Sequence, residues 1–295
     1  MFKKCLLVVI LVWCDHLTAQ DANNALLLTP DECLYAIEMV LSKLNTLEYR
    51  IVEGDLQIER KLNDISSLIE SIKQPQCNCT EEMVYRSCRN TPFSGVYKIQ
   101  PEKPFKEPIT VLCDQEYASG GWIVIQHRFD GSTNFYRGWQ EYKNGFGNLD
   151  GEFWLGLDHI YHLTMSRPYE LVVLLDDFDG NKTFAWYNQF QIGDESLKYN
   201  LTKIDGYSGS AGDCLGDAKG MKFTTLDSDN DLWGGNCAVG YSGAWWYKDC
   251  HSSNLNGKYL RGETKEFATG MVWKDFRGYH YSLRSAKMMI RPTAS

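Results

Sequence analysis

Apolar residues recur at alternating spacings of three and four from Leu34 to Ile72. With Leu34 at heptad position a, the a and d seam is apolar throughout except at Glu48 and Asp55. A repeat sustained over about six heptads predicts a coiled coil, here over residues 31–74. The alternative is an intramolecular helix that packs on the domain that follows. Leu at most a positions, with Ile at d, favours a trimer or tetramer over a dimer.

Cysteines flank this heptad segment on both sides. Cys33 precedes the seam, whereas Cys77 and Cys79 follow it, just after Pro75. Proline lacks a backbone N–H and restricts the residue before it, so we expect the helix to end there. The placement of the cysteines suits interchain disulfides that lock a homo-oligomer.

Beyond about residue 80 the heptads stop and short strand patterns begin. Runs rich in β-branched or apolar residues predict strands at Trp122–Gln126, Glu170–Leu175 and Ala286–Arg291. A helix is predicted over Gly151–Met165, capped by Asp150, because its apolar residues fall on one face. Strands and helices do not alternate regularly, which indicates an α+β fold.

The first residues have the pattern of a secretion signal. Lys3 and Lys4 precede an apolar run, and the small residues Thr18 and Ala19 follow it. The run is too short to cross a bilayer, which takes about 20 residues. A buried N-terminal strand is the alternative. We expect a signal peptide over residues 1–19, a secreted extracellular protein and no membrane insertion.

Composition narrows the class of partner. Of the 295 residues, 43% are hydrophobic and 13% aromatic, which is enough for a substantial core, and the net charge is −8. That negative charge argues against nucleic-acid binding, which needs clustered Lys and Arg. We found no nucleophile elbow, phosphate-binding glycine loop or zinc helix, so we do not expect an enzyme.

The cysteines and glycosylation sequons fit the secretory route. Removal of the predicted signal peptide leaves eight cysteines, an even number that indicates disulfides rather than metal thiolates. Sequons predict N-glycosylation at Asn78, Asn181 and Asn200.

A series of motifs, in order from about Cys88 to Pro292, resembles the fibrinogen C-terminal domain family. The motifs are Ser94-Gly-Val-Tyr97, Gly120-Gly-Trp-Ile-Val-Ile-Gln-His-Arg128, Phe135-Tyr-Arg-Gly-Trp139, Gly151-Glu-Phe-Trp-Leu-Gly156, Asp229-Asn-Asp231, Asn236-Cys-Ala238, Gly243-Ala-Trp-Trp-Tyr247 and Cys250-His-Ser-Ser-Asn-Leu-Asn-Gly257. The resemblance implies that residues 80–293 form an antiparallel sheet with short helices and a loop-rich ligand-binding subdomain. The order of a signal peptide, a coiled coil and one such domain is similar to that of angiopoietin-like proteins and invertebrate fibrinogen-related lectins.

The resemblance also implies intradomain disulfides Cys88–Cys113 and Cys237–Cys250. Cys214 departs from the family, which usually has a small residue there. Its partner is left open among Cys77 or Cys79, a second chain, and none.

A calcium site is the next implication. Asp227-Ser-Asp-Asn-Asp231 places three carboxylates at alternate positions, a spacing that can bring oxygens onto one hard cation. In the family, side chains matching Asp229 and Asp231 and backbone carbonyls matching Trp233 and Gly235 bind Ca²⁺. The alternative is a solvated acidic turn.

The resemblance implies a recognition pocket beside the Cys237–Cys250 bridge. In related lectins a cis peptide, here Asp249–Cys250, directs two backbone N–H groups into an aromatic cleft that takes an acetyl group. The corresponding residues are Tyr241, Cys250, His251, Phe267, Ala268 and Tyr279.

Two positions near this pocket depart from the lectins. Phe267 stands where acetyl-binding members commonly have Tyr, and Asp249 adds negative charge where some relatives are basic. Ala268 agrees with the lectins, whereas fibrinogen's peptide-binding pocket has an acidic residue there. The first hypothesis is therefore a calcium-dependent lectin for acetylated glycans in innate defence. The second is an angiopoietin-like ligand of a cell-surface receptor.

Overall fold

A computed structural model describes residues 83–101 and 107–293, together with the helical residues Met39 and Ser42. The predicted signal peptide, the remainder of the predicted coiled coil, its flanking cysteines and Asn78 lie outside the described residues. The chain divides into two compact units, Met1–Met83 and Val84–Ser295. The fold below is that of the second unit.

Ten strands of this unit form one sheet. Eight of them follow the order β1-β2-β3-β4-β14-β7-β8-β9, while β6 pairs with β4 and β5 pairs with β6. Neighbours are antiparallel except β1 and β2, which run parallel. The strands are β1 (Val84–Tyr85), β2 (Gly95–Ile99), β3 (Ile109–Asp114), β4 (Trp122–Arg128), β5 (Phe146–Gly147), β6 (Phe153–Trp154), β7 (Tyr169–Asp176), β8 (Lys182–Ile192), β9 (Leu201–Gly209) and β14 (Ser285–Pro292).

The helices are short. They are α1 (Trp139–Asn144), α2 (Leu157–Ser166), α3 (Cys237–Gly240) and α4 (Lys274–Arg277), with 3-10 turns at Cys88–Asn90, Glu195–Leu197 and Gly216–Ala218. Within the described part of the chain, no helix is long and apolar enough to cross a membrane. The mixture of one large sheet with few short helices agrees with the predicted α+β class.

The last strand of the domain lies in the middle of the sheet. β14 pairs with β4 on one side and β7 on the other. Its residues Met288, Met289 and Ile290 are all fully buried, so both faces of the sheet are covered at this point. The three predicted strands are confirmed, and each extends by one or two residues at one or both ends.

The predicted helix over Gly151–Met165 is wrong in its first half. The helix begins at Leu157, and Phe153–Trp154 instead forms β6, which pairs with Gln126 and His127 of β4. Both rings are buried in this pairing. Gly156 has a φ of 109°, a left-handed conformation that interrupts a helix. Tertiary pairing therefore overrides the local helical pattern.

Side chains of β4 attach the sheet to a loop-rich subdomain, residues 210–284. The guanidinium of Arg128 is buried and donates to the carbonyls of Leu255 (3.1 Å) and Gly257 (3.0 Å). Gln126 also donates to the Leu255 carbonyl, at 3.2 Å. Buried polar groups need such partners, so these contacts fix the 255–257 segment against the sheet.

The subdomain itself has little regular structure. Two pairs of two-residue strands cross it, β10 (Ser253–Asn254) with β12 (Val272–Trp273) and β11 (Gly262–Glu263) with β13 (Tyr281–Ser282). Large rings fill the space between the loops, including Trp245, Trp246, Tyr247 and Trp273, all buried. Packing of aromatic side chains thus replaces much of the backbone pairing here.

Both disulfides that the resemblance implied are confirmed. Cys88 bonds Cys113 and Cys237 bonds Cys250, with Cα–Cα separations of 5.4 and 5.7 Å. Cys214 is free and buried, and its Sγ accepts a hydrogen bond from the backbone N–H of Asp275 (3.3 Å). Burial raises the pKa of the Cys214 thiol to about 12. Of the alternatives left open for Cys214, the structure supports an unpaired thiol.

Truncating the central strand should destabilise the domain. Ile290→Ala should lower the free energy of unfolding by about 2–5 kcal/mol, because it leaves a cavity where the side chain is fully buried. Lys182→Ala is the control, since its largely exposed ammonium lies 3.5 Å from Asp176 and such pairs contribute about 1 kcal/mol or less. Chemical denaturation measures both; equal losses would contradict the central role of β14.

Candidate functional site

The Cys237–Cys250 bridge fixes one wall of the predicted pocket. Cys237 begins α3, and the Asn236 side chain caps that turn by accepting from the N–H of Val239 (3.0 Å). On the other side of the bridge, the peptide Asp249–Cys250 is cis, as the resemblance implied. The Lys248 N–H donates to the Cys250 carbonyl (2.8 Å), which closes a tight turn.

Two backbone donors in this turn are unused. Within the described residues, the N–H groups of Cys250 and His251 donate to no protein acceptor. Backbone N–H groups are strong hydrogen-bond donors. These two N–H groups are therefore available to an acceptor on a ligand or to water.

Aromatic rings line the same region. The ring centroids of Tyr241 and His251 are 4.9 Å apart, those of His251 and Tyr279 6.1 Å, and those of Tyr279 and Phe267 5.1 Å. The structure thus brings four predicted pocket residues into one continuous series of contacts, which we call the aromatic row. Phe267 is the exposed end of the row, with 53% of its surface accessible.

Ala268 contributes through its backbone. It is buried and has a φ of 62°, in the left-handed region that is uncommon for a residue with a side chain. Its N–H donates to the Tyr279 carbonyl (2.9 Å), and its own carbonyl accepts from the ring of His251 (3.1 Å). The loop with Phe267 and Ala268 is thereby tied to both Tyr279 and the bridge.

The His251 ring is neutral in this setting. Burial lowers its pKa from 6.5 to about 4, although the Ala268 carbonyl acts in the opposite direction. Because a carbonyl only accepts, Nε2 carries the proton, and Nδ1 holds a lone pair. Nδ1 is buried and has no partner among the described residues. The ring therefore adds an aromatic surface and one unused acceptor to the site, with no charge.

Asn254 connects the walls of the site, although no pattern in the sequence predicts it as a site residue. Its fully buried amide donates to the carbonyls of Tyr241 (3.1 Å) and Ala268 (3.5 Å) and accepts from the Tyr247 hydroxyl (2.7 Å). The only sequence signal was its position within the motif Cys250–Gly257. Its role depends on three distant partners that a local pattern does not reveal.

The predicted calcium loop adjoins the bridge through Asp231. The Asp231 carboxylate accepts from the N–H groups of Trp233 (3.0 Å) and Cys237 (2.9 Å), while Asp229 accepts from the N–H of Asp231 (3.3 Å). Burial raises the pKa of Asp231, and the nearby charge of Asp229 raises it further. The Asp229–Asp231 pair thus concentrates negative charge beside Cys237.

The third carboxylate of the motif has another role. Asp227 accepts from the Trp139 N–H (2.8 Å) and the Thr225 hydroxyl (2.7 Å), so it caps α1. By contrast, within the described residues, the carbonyls of Trp233 and Gly235 accept no hydrogen bond. Carboxylates and carbonyls are the oxygen ligands that a hard cation such as calcium takes.

The two described sequons differ in exposure. Asn181 is exposed in the turn between β7 and β8, and its amide donates to Asp177 (2.8 Å). Asn200 is half-buried, and its Oδ1 is buried without a partner in the described part of the chain. Glycosylation of either residue stays a prediction.

The comparisons with known proteins agree with this fold. The family described as fibrinogen beta and gamma chains, C-terminal globular domain, matches residues 76–293, and the chain belongs to that family. Fibrinogen C domain-containing protein 1-B of Xenopus laevis and its Xenopus tropicalis relative are each 48% identical over 203 residues. Those matches cover 67% of this chain and 44% of the relatives' own length.

The chain is also similar to solved structures of fibrinogen-like domains. The fibrinogen-like globe domains of human ANGPTL2 and ANGPTL6 are 45% and 41% identical, each with a TM-score of 0.68. The matches cover 71% and 73% of this chain and all of each domain. A lamprey fibrin D-dimer complexed with the peptide Gly-His-Arg-Pro-amide is 30% identical with a TM-score of 0.67, over 88% of this chain and 96% of that one. Proteins of this family are generally non-enzymatic binding proteins and typically extracellular.

The depressed pKa of His251 predicts a pH-dependent stability. Between about 6.5 and 4 the unfolded chain binds a proton at this position that the folded chain does not, so stability is lost as pH falls through that window. Burial also lowers the pKa of His127 to about 4. His251→Gln keeps a donor for Ala268 but does not titrate. It should therefore reduce, without abolishing, the loss of unfolding free energy on acidification.

Denaturation across that pH range is the measurement. His251 accounts for at most about 3–4 kcal/mol, given 1.36 kcal/mol per unit of pKa. A variant with the pH dependence of the parent chain would contradict a neutral, buried His251.

Proposed function

We propose that this protein binds acetylated glycans through the aromatic row beside the Cys237–Cys250 bridge. The observation that carries the proposal is the pair of unused N–H groups on Cys250 and His251, adjacent to that row. An acetyl group has a carbonyl oxygen that such donors can bind and a methyl that aromatic surfaces can cover. The site is neutral at His251, which suits an uncharged acetamide.

We also propose that calcium binds beside this site. The carboxylates of Asp229 and Asp231 and the carbonyls of Trp233 and Gly235 would hold it, without a contribution from Asp227. Bound calcium would supply positive charge to the carboxylate pair and order the loop. Because Asp231 also accepts from Cys237, an ordered loop would support the position of the bridge.

Oligomerisation would give this site useful avidity. An acetyl group offers few contacts, so a single site of about millimolar affinity, roughly −4 kcal/mol, is expected. Linking three or four domains through the predicted coiled coil, with interchain disulfides at Cys33, Cys77 or Cys79, would raise the affinity for a repeating ligand. A secreted pattern-recognition lectin in innate defence is the role that fits this arrangement.

A second candidate is an angiopoietin-like ligand that binds a cell-surface receptor. The similarity to the globe domains of human ANGPTL2 and ANGPTL6 favours it. So do the exposed side chains of Leu232 and Trp233, which lie on the calcium loop at 65% and 45% accessibility. Exposed apolar patches often mark protein interfaces. Removal of residues 84–295 should then abolish cell binding, whereas N-acetylglucosamine should not compete for it.

Substitutions at one tyrosine and one phenylalanine of the row, Tyr279 and Phe267, test the acetyl-binding proposal. Tyr279→Ala should remove detectable binding of N-acetylglucosamine, because it opens the row between His251 and Phe267. Phe267→Tyr should raise the affinity about two- to tenfold if its hydroxyl gains a hydrogen bond. Isothermal titration gives both values.

The matched control is Phe129→Tyr, which adds a hydroxyl to another exposed ring (37% accessible) and should leave the affinity unchanged. Binding that survives Tyr279→Ala at the parent level would place the sugar elsewhere.

Calcium binding is tested with two isosteric variants of one motif. Calcium in 100-fold excess over its dissociation constant should stabilise the parent by about 2.7 kcal/mol. Asp231→Asn should abolish this stabilisation by calcium. Asp227→Asn should weaken the cap of α1 but should still be stabilised by calcium. Thermal unfolding with calcium and with a chelator measures it. An equal loss in both variants, or no increment in the parent chain, would refute the assignment.

A further inference from the structure

A cavity of about 230 Å³, which we call the side cavity, opens next to the aromatic row. Its walls are Glu263, Thr264, Arg277, His280 and Tyr281. None of these residues was predicted from the sequence as a binding residue, and none belongs to the acetyl-binding or calcium-binding sets. Their mixture of charged, hydroxyl and aromatic groups distinguishes this cavity from an empty gap in a core, which is apolar.

Backbone pairing holds the walls of the side cavity in place. Glu263 of β11 lies opposite Tyr281 of β13 in an antiparallel pair. The Thr264 N–H donates to the His280 carbonyl (2.9 Å), and the His280 ring nitrogen Nδ1 lies 3.3 Å from the Thr264 carbonyl. Arg277 ends α4, and its guanidinium lies 3.8 Å from the centre of the Tyr281 ring. The cavity is therefore preformed.

The positive charge of Arg277 is already offset. Its guanidinium donates to the buried carboxylate of Asp177 and, at 2.6 Å, to Asp179. Two carboxylates thus face one guanidinium, so the three side chains together carry a net negative charge. An anionic ligand would have to compete with both aspartates for Arg277.

Glu263 adds an uncompensated carboxylate to the opposite wall. Its side chain is exposed and makes no hydrogen bond or ion pair with any other residue in the described ranges. His280 is exposed as well, and its Nε2 atom has no partner among the described residues. The wall therefore offers one free carboxylate and one free imidazole nitrogen, which together favour a ligand that brings a positive charge and hydrogen-bond donors.

Phe267 joins the side cavity to the aromatic row. Its ring centroid lies 5.1 Å from that of Tyr279 in the row and 5.4 Å from that of His280 in the cavity wall. A ligand chain that continues from the row past Phe267 would therefore enter the cavity. The cavity is smaller than the roughly 300–1,000 Å³ of pockets for drug-sized molecules, so it suits one ring-sized group.

We propose that the side cavity is a second saccharide subsite that accepts a sugar ring bearing a protonated amine. The inference rests on the proposed acetyl site and specifies its ligand. Chains of N-acetylhexosamine from which some acetyl groups have been removed carry both groups, an acetamide for the row and an ammonium for Glu263. Partly deacetylated chains are therefore preferred over fully acetylated ones.

Three disaccharide probes with one N-acetylglucosamine ring test this subsite. The neighbouring ring carries a free amine in the first, a hydroxyl in place of the amine in the second, and an acetamide in the third. Titration of the full chain should show the amine probe binding about threefold more tightly than the hydroxyl probe, the effect of one partly exposed ion pair. Glu263→Gln should abolish that difference, because the amide that replaces the carboxylate carries no charge to attract the ammonium.

Glu116→Gln is the matched control, since it removes the charge of an exposed glutamate on the β3–β4 loop and should keep the preference. Equal affinities of amine and hydroxyl probes, or a preference that persists in Glu263→Gln, would overturn the side-cavity proposal alone. Tighter binding when the neighbouring ring is a uronic acid would also overturn it, because the cavity would then select anions. If none of the acetylated probes binds at all, both the acetyl site and the subsite fall.

Discussion

A neutral, half-buried imidazole between two loops holds the candidate site together. His251 follows the Cys237–Cys250 bridge directly, and its ring donates to the carbonyl of Ala268 on the loop that carries Phe267. The same ring contacts Tyr241 and Tyr279. Because burial keeps the ring uncharged, it can serve as an apolar wall and a hydrogen-bond donor together. The unused N–H groups, the aromatic row and the loop with Ala268 all depend on its position.

The fold was predictable where local pattern and tertiary environment agree. The alternation in Ala286–Arg291 indicated a strand, and the structure confirms it as the central strand of the sheet. Local pattern failed at Phe153–Trp154, where helical spacing gave way to pairing with β4. A sequence window around those two rings carries no information about a strand that lies about 26 residues earlier.

Only part of the candidate site was predictable from the sequence. The bridge and the residues of the row were predicted from the family resemblance, because the fold of related proteins already shows which residues lie close together. The alternate spacing of the aspartates did not reveal that Asp227 caps α1, since Trp139 is distant in sequence. Asn254 and Glu263 were missed because each owes its role to neighbours on other loops, or to the absence of a partner.

The proposed function depends on one contact, in which Cys250 and His251 present free backbone donors to an acetyl group beside the aromatic row. A crystal structure of the full chain soaked with N-acetylglucosamine and calcium tests it most directly. We expect the acetyl oxygen to lie within hydrogen-bond distance of one of these N–H groups and the methyl to lie against the rings of Tyr241 and Tyr279. Sugar bound at another surface, with both N–H groups still facing water, would contradict it.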